Sequence, residues 1–211
     1  MTALSPDLET VCRAITEAPC RGRRRLVAMA GAPASGKSTL AEMMAQQLNA
    51  TGHKAQVVPM DGFHLDNRVL DQRGLRARKG APETFDAGGL IRLVEGLATE
   101  ETVYFPIFDR SQDLAIAGAG VVGPDIETVI VEGNYLLFNE APWRSIAALW
   151  DISLFLHLPE ETLRSRLIDR WLAHDHTQAQ AEERTEANDM ANARRVIANR
   201  LPCDIEIALA S

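Results

Sequence analysis

A chain of 211 residues is long enough for one well-buried core and cramped for two, and 46% hydrophobic with 24% charged residues excludes a disordered or collagen-like polymer. The net charge of −7 argues against a broad polyanion-binding surface, so nucleic acid is not an expected partner. Three cysteines without CxxC spacing fit neither a disulfide framework nor a zinc site; no apolar run reaches membrane-span length, and "MTALSPDLET" lacks the shape of a secretory signal, so a cytoplasmic protein without membrane contact is expected.

The pattern "SPDLETVCRAI" predicts an amino-terminal helix from about Pro6. The "RGRRR" run, Arg21 to Arg25, reads as a solvated lead-in to the first strand, "LVAMAG". Further apolar β-branched runs follow in "AQVVPMDGF", "ETVIVEGNYLL" and "DISLFLHL", with a last one in "DIEIALA". Helices are expected after Lys37, Asp86, Pro142 and Pro159, and from about Ala181 to Asn199. Strands that are continuously apolar and alternate with helices point to an α/β fold with a parallel sheet covered on both faces. Between strands, residues 62–86 are polar and basic and follow a strand end, as a binding loop does. The small-residue stretch "DLAIAGAGVVGPDIE" predicts a hairpin insertion over about 110–126.

"GAPASGKST" satisfies G-x-x-x-x-G-K-[ST] between a strand and a helix, over Gly31, Ala32, Pro33, Ala34, Ser35, Gly36, Lys37, Ser38 and Thr39. Glycines let backbone N–H groups turn inward around phosphates, and the following helix points its positive end at them. Lys37 adds a point charge toward the β and γ oxygens, and Ser38 would hold Mg²⁺. The motif points to a nucleoside triphosphate and is silent about the reaction.

Two acids at strand ends supply what phosphoryl transfer still needs. Asp61 in "MDGF" is the candidate general base, because a carboxylate beside Gly62 and a substrate loop can reach a bound hydroxyl. Glu132 in "VIVEGN" is the candidate that orients the Mg²⁺ shell. Either residue could instead cap the next turn. Asp109 in "FPIFDRSQD" contacts substrate or caps a turn, and the residues leave both readings open. His64 is read as a substrate contact. Arg73, Arg76, Arg78 and Lys79 in the binding loop would attract an anionic substrate or product if they face the phosphate loop. Arg166 and Arg170, at i and i+4, form either a lid over the phosphoryl group, within a lid over about 164–185, or ordinary helix-surface charge. His174 and His176 have no further ligand cluster near them in sequence and are read as a solvated helix end.

Taken together, "GAPASGKST", "MDGFHLDNRVLDQRGLRARKGAPETFD", "FPIFDR" and "VIVEGNYLL" resemble, in order and spacing, the P-loop kinases that include uridine kinase, phosphoribulokinase and bacterial pantothenate kinase. The chain is also similar to bacterial proteins described as fructose transport system kinases, whose "ND…NA" pattern is matched by Asn188, Asp189, Asn192 and Ala193. The resemblance covers roughly residues 26–205. It implies a single P-loop NTPase domain over 1–211, a three-layer sandwich around a mainly parallel five-stranded central sheet. It further implies ATP and Mg²⁺ as cofactors and transfer of the γ-phosphoryl group to a hydroxyl of a small molecule. Lys37 and Ser38 become the phosphate and metal ligands, Asp61 the base, Glu132 the metal-side acid, and Arg166 or Arg170 the lid cation. Asn199 to Asp204 would border the adenine. "FPIFDRSQD" lacks the Tyr-x-His form of pantothenate kinases, which disfavours pantothenate; a sugar or sugar derivative is the expected acceptor, slightly ahead of a nucleoside or a pantothenate-like acid. A non-catalytic nucleotide sensor or assembly ATPase is the rival from another class, and a homodimer is kept open as the assembly.

Overall fold

The computed structural model describes residues 4–209. Its central sheet has the order β1-β8-β7-β2-β6-β3, with β1 (Leu4–Ser5), β2 (Arg25–Gly31), β3 (Ala55–Pro59), β6 (Thr128–Gly133), β7 (Ile152–His157) and β8 (Ile205–Leu209). Five of these strands run parallel, as expected, and β1 adds a two-residue antiparallel edge to β8. So short a strand leaves no periodic signal in sequence. Ala210, at the end of the last predicted run, lies outside the described residues.

Alternate residues of β2 enter two separate cores, which explains its unbroken apolar run. Leu26, Ala28 and Ala30 pack with Leu90, Val94 and Leu97 of α4 (Ala87–Thr99). Val27 and Met29 pack with α1 (Leu8–Glu17), α2 (Lys37–Ala50) and α5 (Glu160–Leu172), through Ile15, Met44 and Leu167 among others. Three layers result. No helix among the described residues is long and apolar enough to cross a membrane.

The hairpin is longer than its glycine-rich half predicts. β4 (Val103–Asp109) pairs antiparallel with β5 (Leu114–Val122) as a separate two-stranded sheet, so "FPIFD" is its first strand. The register shifts between Phe105 and Ile107, around Pro106, which has no N–H to give to the ladder. α3 (Asn67–Gln72) and three short 3₁₀ turns shape the binding loop. The helix expected after Pro142 is a 3₁₀ segment, Trp143–Leu149. The helix predicted from Ala181 begins earlier, at a Thr177 capping box, as α6 (Gln178–Arg184); it passes through a π-helical stretch, Thr185–Met190, into α7 (Ala191–Ala198).

The arginine run is not a solvated lead-in. Arg24 is fully buried, and its guanidinium donates to the carbonyls of Leu97, Glu100, Glu101 and Gly123 at 2.5–3.1 Å. Arg25 donates to the carbonyls of Thr16 and Ala18, where α1 ends, and Arg21 pairs with Asp151 at 2.8 Å. Carbonyls left over at the carboxyl ends of α1 and α4 have no intrahelical partner, so a guanidinium is a natural cap for them. Sequence charge alone cannot tell a cap from a solvated residue. Replacing Arg24 strands its acceptors in the core: Arg24→Leu is expected to destabilise the protein by roughly 3 kcal/mol in urea unfolding, whereas Arg23→Leu, whose residue meets Glu101 only at 3.4 Å on the surface, should cost less than about 1 kcal/mol.

Candidate active site

The loop Gly31 to Thr39 joins the central strand β2 to α2, and its backbone is unusual where a phosphate would need it. Gly36 is the N-cap of α2 at φ 95°, with no side-chain cap, which leaves the first N–H groups of α2 free to take a ligand. Ala34 also sits at positive φ, 60°, an uncommon conformation for a residue with a side chain. A Cβ at Gly31 would stand 2.9 Å from Ser35 Oγ and 3.1 Å from the Leu156 carbonyl, so the loop closes tightly on β7. Ser35 Oγ is itself buried without a partner. A strained cradle, bare helix N–H groups and an orphan hydroxyl together suit the oxygens of a polyphosphate.

Register carries the two acids to the same edge. In the sheet Glu132 of β6 lies beside Met29 of β2 and Pro59 of β3, and Asp61 follows Pro59 in the 3₁₀ turn Met60–Phe63. Asp61, Glu132 and Ser38 line one cleft of about 220 Å³ with Ile107, Phe108 and Arg110 of the hairpin. Glu132 is 5% exposed, and burial pushes its carboxyl above the ordinary range. The Lys37 charge and a hydrogen bond from Ser38 pull it back, while the Asp61 charge pushes it further up. Among the described residues no cluster of three or more His, Cys, Asp or Glu could hold a metal alone. Ser38 and Glu132 are nevertheless hard oxygen donors facing a phosphate loop. That set fits Mg²⁺, which is usually bound by one or two carboxylates together with substrate phosphates.

The lid pair diverges in spite of its spacing. Arg166 Nη1 donates to the Ser35 carbonyl at 2.8 Å and lies 3.4 Å from the Ala34 carbonyl, and a Cβ at Gly36 would touch the same nitrogen at 3.4 Å. Arg170 turns instead to Asp189, 3.9 Å away, with its guanidinium 5.3 Å from the Trp171 ring centre. Only Arg166 stands over the loop.

Several residues expected to meet substrate are engaged elsewhere. His64 donates from Nδ1 to the Asp61 carbonyl at 2.8 Å and stacks between Phe85 and Phe108, and burial pushes its pKa down. It braces the Asp61 turn. Lys79 Nζ lies 2.7 Å from Asp113 Oδ1 and 2.8 Å from Asn67 Oδ1, Arg76 pairs with Asp71, and Arg78 lies 3.5 Å from Glu83. Arg73 is exposed at the end of α3. Asp109 caps its turn: it accepts from the Ser111 and Gln112 backbone and side chains at 2.6–3.1 Å, which pulls its carboxyl down to about 2. His174 and His176 sit beside Trp171 at the end of α5, consistent with a peripheral helix end.

Sequence reasoning passed over Arg110. Its Nη2 donates to Asp61 Oδ2 at 2.7 Å, a cross-link between hairpin and strand-end turn that a separation of 49 positions hides. The one signal available was its place immediately after Asp109 at the end of an apolar run. Asn188 was noted only as part of a pattern; it donates to the Lys79 carbonyl at 3.0 Å and so ties the π-helical stretch to the binding loop.

The phosphoribulokinase/uridine kinase family matches residues 26–178. A crystal structure from Silicibacter sp. TM1040, provisionally described as a fructose transport system kinase, superposes with a TM-score of 0.91 at 51% identity, covering 94% of this chain and 98% of that one. A Schizosaccharomyces pombe protein, provisionally named a uridine kinase, is 36% identical over 87% of this chain and 82% of its own. The Escherichia coli protein YggC is 40% identical over 84% of this chain and 74% of its own.

Glu132 gives the site a pH signature. Its native pKa lies above the unfolded value, so the folded state holds the proton more tightly, and stability falls as pH rises from the ordinary carboxyl range through the raised native value. Glu132→Gln removes this penalty. The ligand-free variant is expected to melt above wild type at pH 8, with the gap narrowing toward pH 4, by calorimetry across that range.

Proposed function

The chain belongs to the phosphoribulokinase/uridine kinase family of P-loop kinases, and we propose that it transfers the γ-phosphoryl group of ATP to a hydroxyl of a small metabolite, a sugar or sugar derivative. The observation that carries this reading is the cleft that Asp61 shares with Ser38 and Glu132 at the mouth of the glycine loop. In it a carboxylate faces the place where a terminal phosphate would lie, with room for a small alcohol.

ATP phosphates seated on the N–H groups of α2 and met by Lys37 direct the γ-phosphorus toward Asp61. Ser38 and Glu132 would hold Mg²⁺, which supplies neutralising charge to the phosphate oxygens. Asp61 orients the acceptor hydroxyl and takes its proton as the oxygen bonds to phosphorus and ADP departs. Arg166 offsets charge on the transferring group. The binding loop, the hairpin and the lid are then three additions to one nucleotide-binding domain that together close the reaction off from water.

A sensor or assembly ATPase would need no acceptor chamber. Support for a chamber comes from the segment after Asp61, which folds back on itself: Leu65 N–H donates to the Thr84 carbonyl at 2.9 Å, Asp86 N–H to the Phe63 carbonyl at 2.8 Å, and His64 bridges Phe85. The buried Tyr135 hydroxyl donates to the Gly80 carbonyl and anchors the same segment to the strand-β6 side.

Asp61→Asn is expected to leave ATP affinity nearly intact and to lower kcat by about a hundredfold or more, in an ADP-release assay with sugars, nucleosides and vitamin precursors as acceptors. Unchanged turnover would remove Asp61 from the mechanism, and no stimulation by any acceptor would favour the sensor. Arg166→Met should likewise cost about a hundredfold in kcat, against less than about fivefold for Arg170→Met.

A further inference from the structure

Among the residues that line the cleft, Arg110 is the one cation, and its position is fixed from two sides. The Asp109 carboxylate ties down the turn in which it sits with four hydrogen bonds. Below it, Gly62 meets the hairpin so closely that a Cβ there would stand 2.0 Å from the Pro106 carbonyl oxygen. Hairpin and Asp61 turn therefore form one packed unit that holds the guanidinium against the candidate base.

Only Nη2 of Arg110 has a partner, Asp61, and the side chain is 67% exposed. A guanidinium presents five N–H donors in a planar fork, so most of this fork is unpartnered at a residue that lines the cleft. The binding-loop cations are differently placed: Lys79, Arg76 and Arg78 each meet an acid of their own neighbourhood. Arg110 is thus the cation with donors to spare beside the candidate acceptor position.

The ion pair also sets a condition on chemistry. Arg110 Nη2 occupies one oxygen of the carboxylate that would receive the acceptor hydroxyl's proton. A neutral acceptor gives Arg110 no reason to let go, whereas an acceptor that brings its own carboxylate or phosphate competes for the fork and frees Asp61 for the hydroxyl.

We propose that the acceptor is an anion, a hydroxy acid or a phosphorylated sugar, and that Arg110 recognises it through its charged group in exchange for Asp61. The proposal rests on the kinase reading above and narrows its substrate class. Hairpin residues Ile107 and Phe108 then border the carbon skeleton, while Glu132 at the end of β6 and Ser38 at the start of α2 stay with the nucleotide.

The test is calorimetric binding to the full chain in the presence of a non-hydrolysable ATP analogue. Three sets of probes of matched carbon number are compared, neutral polyols, aldonic acids and sugar phosphates, on wild type, Arg110→Met and Arg110→Lys. Expected are at least roughly tenfold tighter binding of one anionic set over the polyols, loss of that preference in Arg110→Met, and partial retention in Arg110→Lys, which keeps charge without the fork. Affinity for the ATP analogue serves as the folding control. Whichever anionic set shows the preference identifies the charged group. Polyols binding as well as the acids, no binding by any anion, or an equal loss for polyols and anions in Arg110→Met would each overturn the proposal, the last by making Arg110 a positioning residue only. The kinase reading fails separately, by absence of ADP release with ATP and every acceptor, and Arg110-dependent anion binding would survive that failure.

Discussion

Three parallel strands that end in step are the constraint on which this site depends. β2, β6 and β3 are hydrogen-bonded in register, so the glycine loop at the end of β2, Glu132 near the end of β6 and the Asp61 turn after β3 emerge at one edge. No loop has to search for its partners. The pleat does the rest: with side chains alternating between faces, a slip of one residue in β6 would send Glu132 to the other side of the sheet. The two apolar cores on either face of β2 make such a slip costly, because each alternate residue is fitted to a different set of helices.

Onto this edge the chain adds two walls that are less regular and more specific. The hairpin wall is keyed to the Asp61 turn by the Gly62–Pro106 approach and by the Arg110–Asp61 ion pair, so turn and hairpin pack as one unit. On the other side α5 reaches the glycine loop through Arg166, and the π-helical stretch after α6 meets residues 62–86 through Asn188. Interrupting a helix with a π turn is unfavourable for its hydrogen bonding, and such interruptions gather at functional sites. Here the turn also leaves the Thr185 hydroxyl and the Asn192 side-chain oxygen buried without partners.

Other unmet groups lie at the glycine loop and in the cleft. Glu132 is buried where burial opposes its charge, Ser35 Oγ lacks a partner, and Ala34 sits in a conformation its side chain disfavours. Away from the cleft burial is better compensated, as in the Arg24 clamp, where one guanidinium gathers four carbonyls although its Nε is left unpartnered. Under the proposed kinase reading, phosphate oxygens and a cation would meet these groups.

The amino-acid sequence by itself determined the parallel α/β sandwich, the loop Gly31 to Thr39 with its strand and helix, and the placing of Asp61 and Glu132 at strand ends. These follow from local rules: apolar continuity, glycine spacing, and the fact that a residue's place along a strand fixes the edge at which it emerges. Tertiary structure alone decided which charges meet. Arg166 and Arg170 share spacing and helix face, yet one reaches the loop and the other Asp189. Asp109, open in sequence to substrate contact or to a turn cap, caps its own turn, while Arg110 beside it reaches a carboxylate 49 positions away. The run of four arginines from Arg21 to Arg25 looked solvated, yet Arg24 is fully buried. Long charged side chains take their partners from whatever packing brings within reach, and that choice is made by contacts between elements distant in sequence, where no periodicity records it.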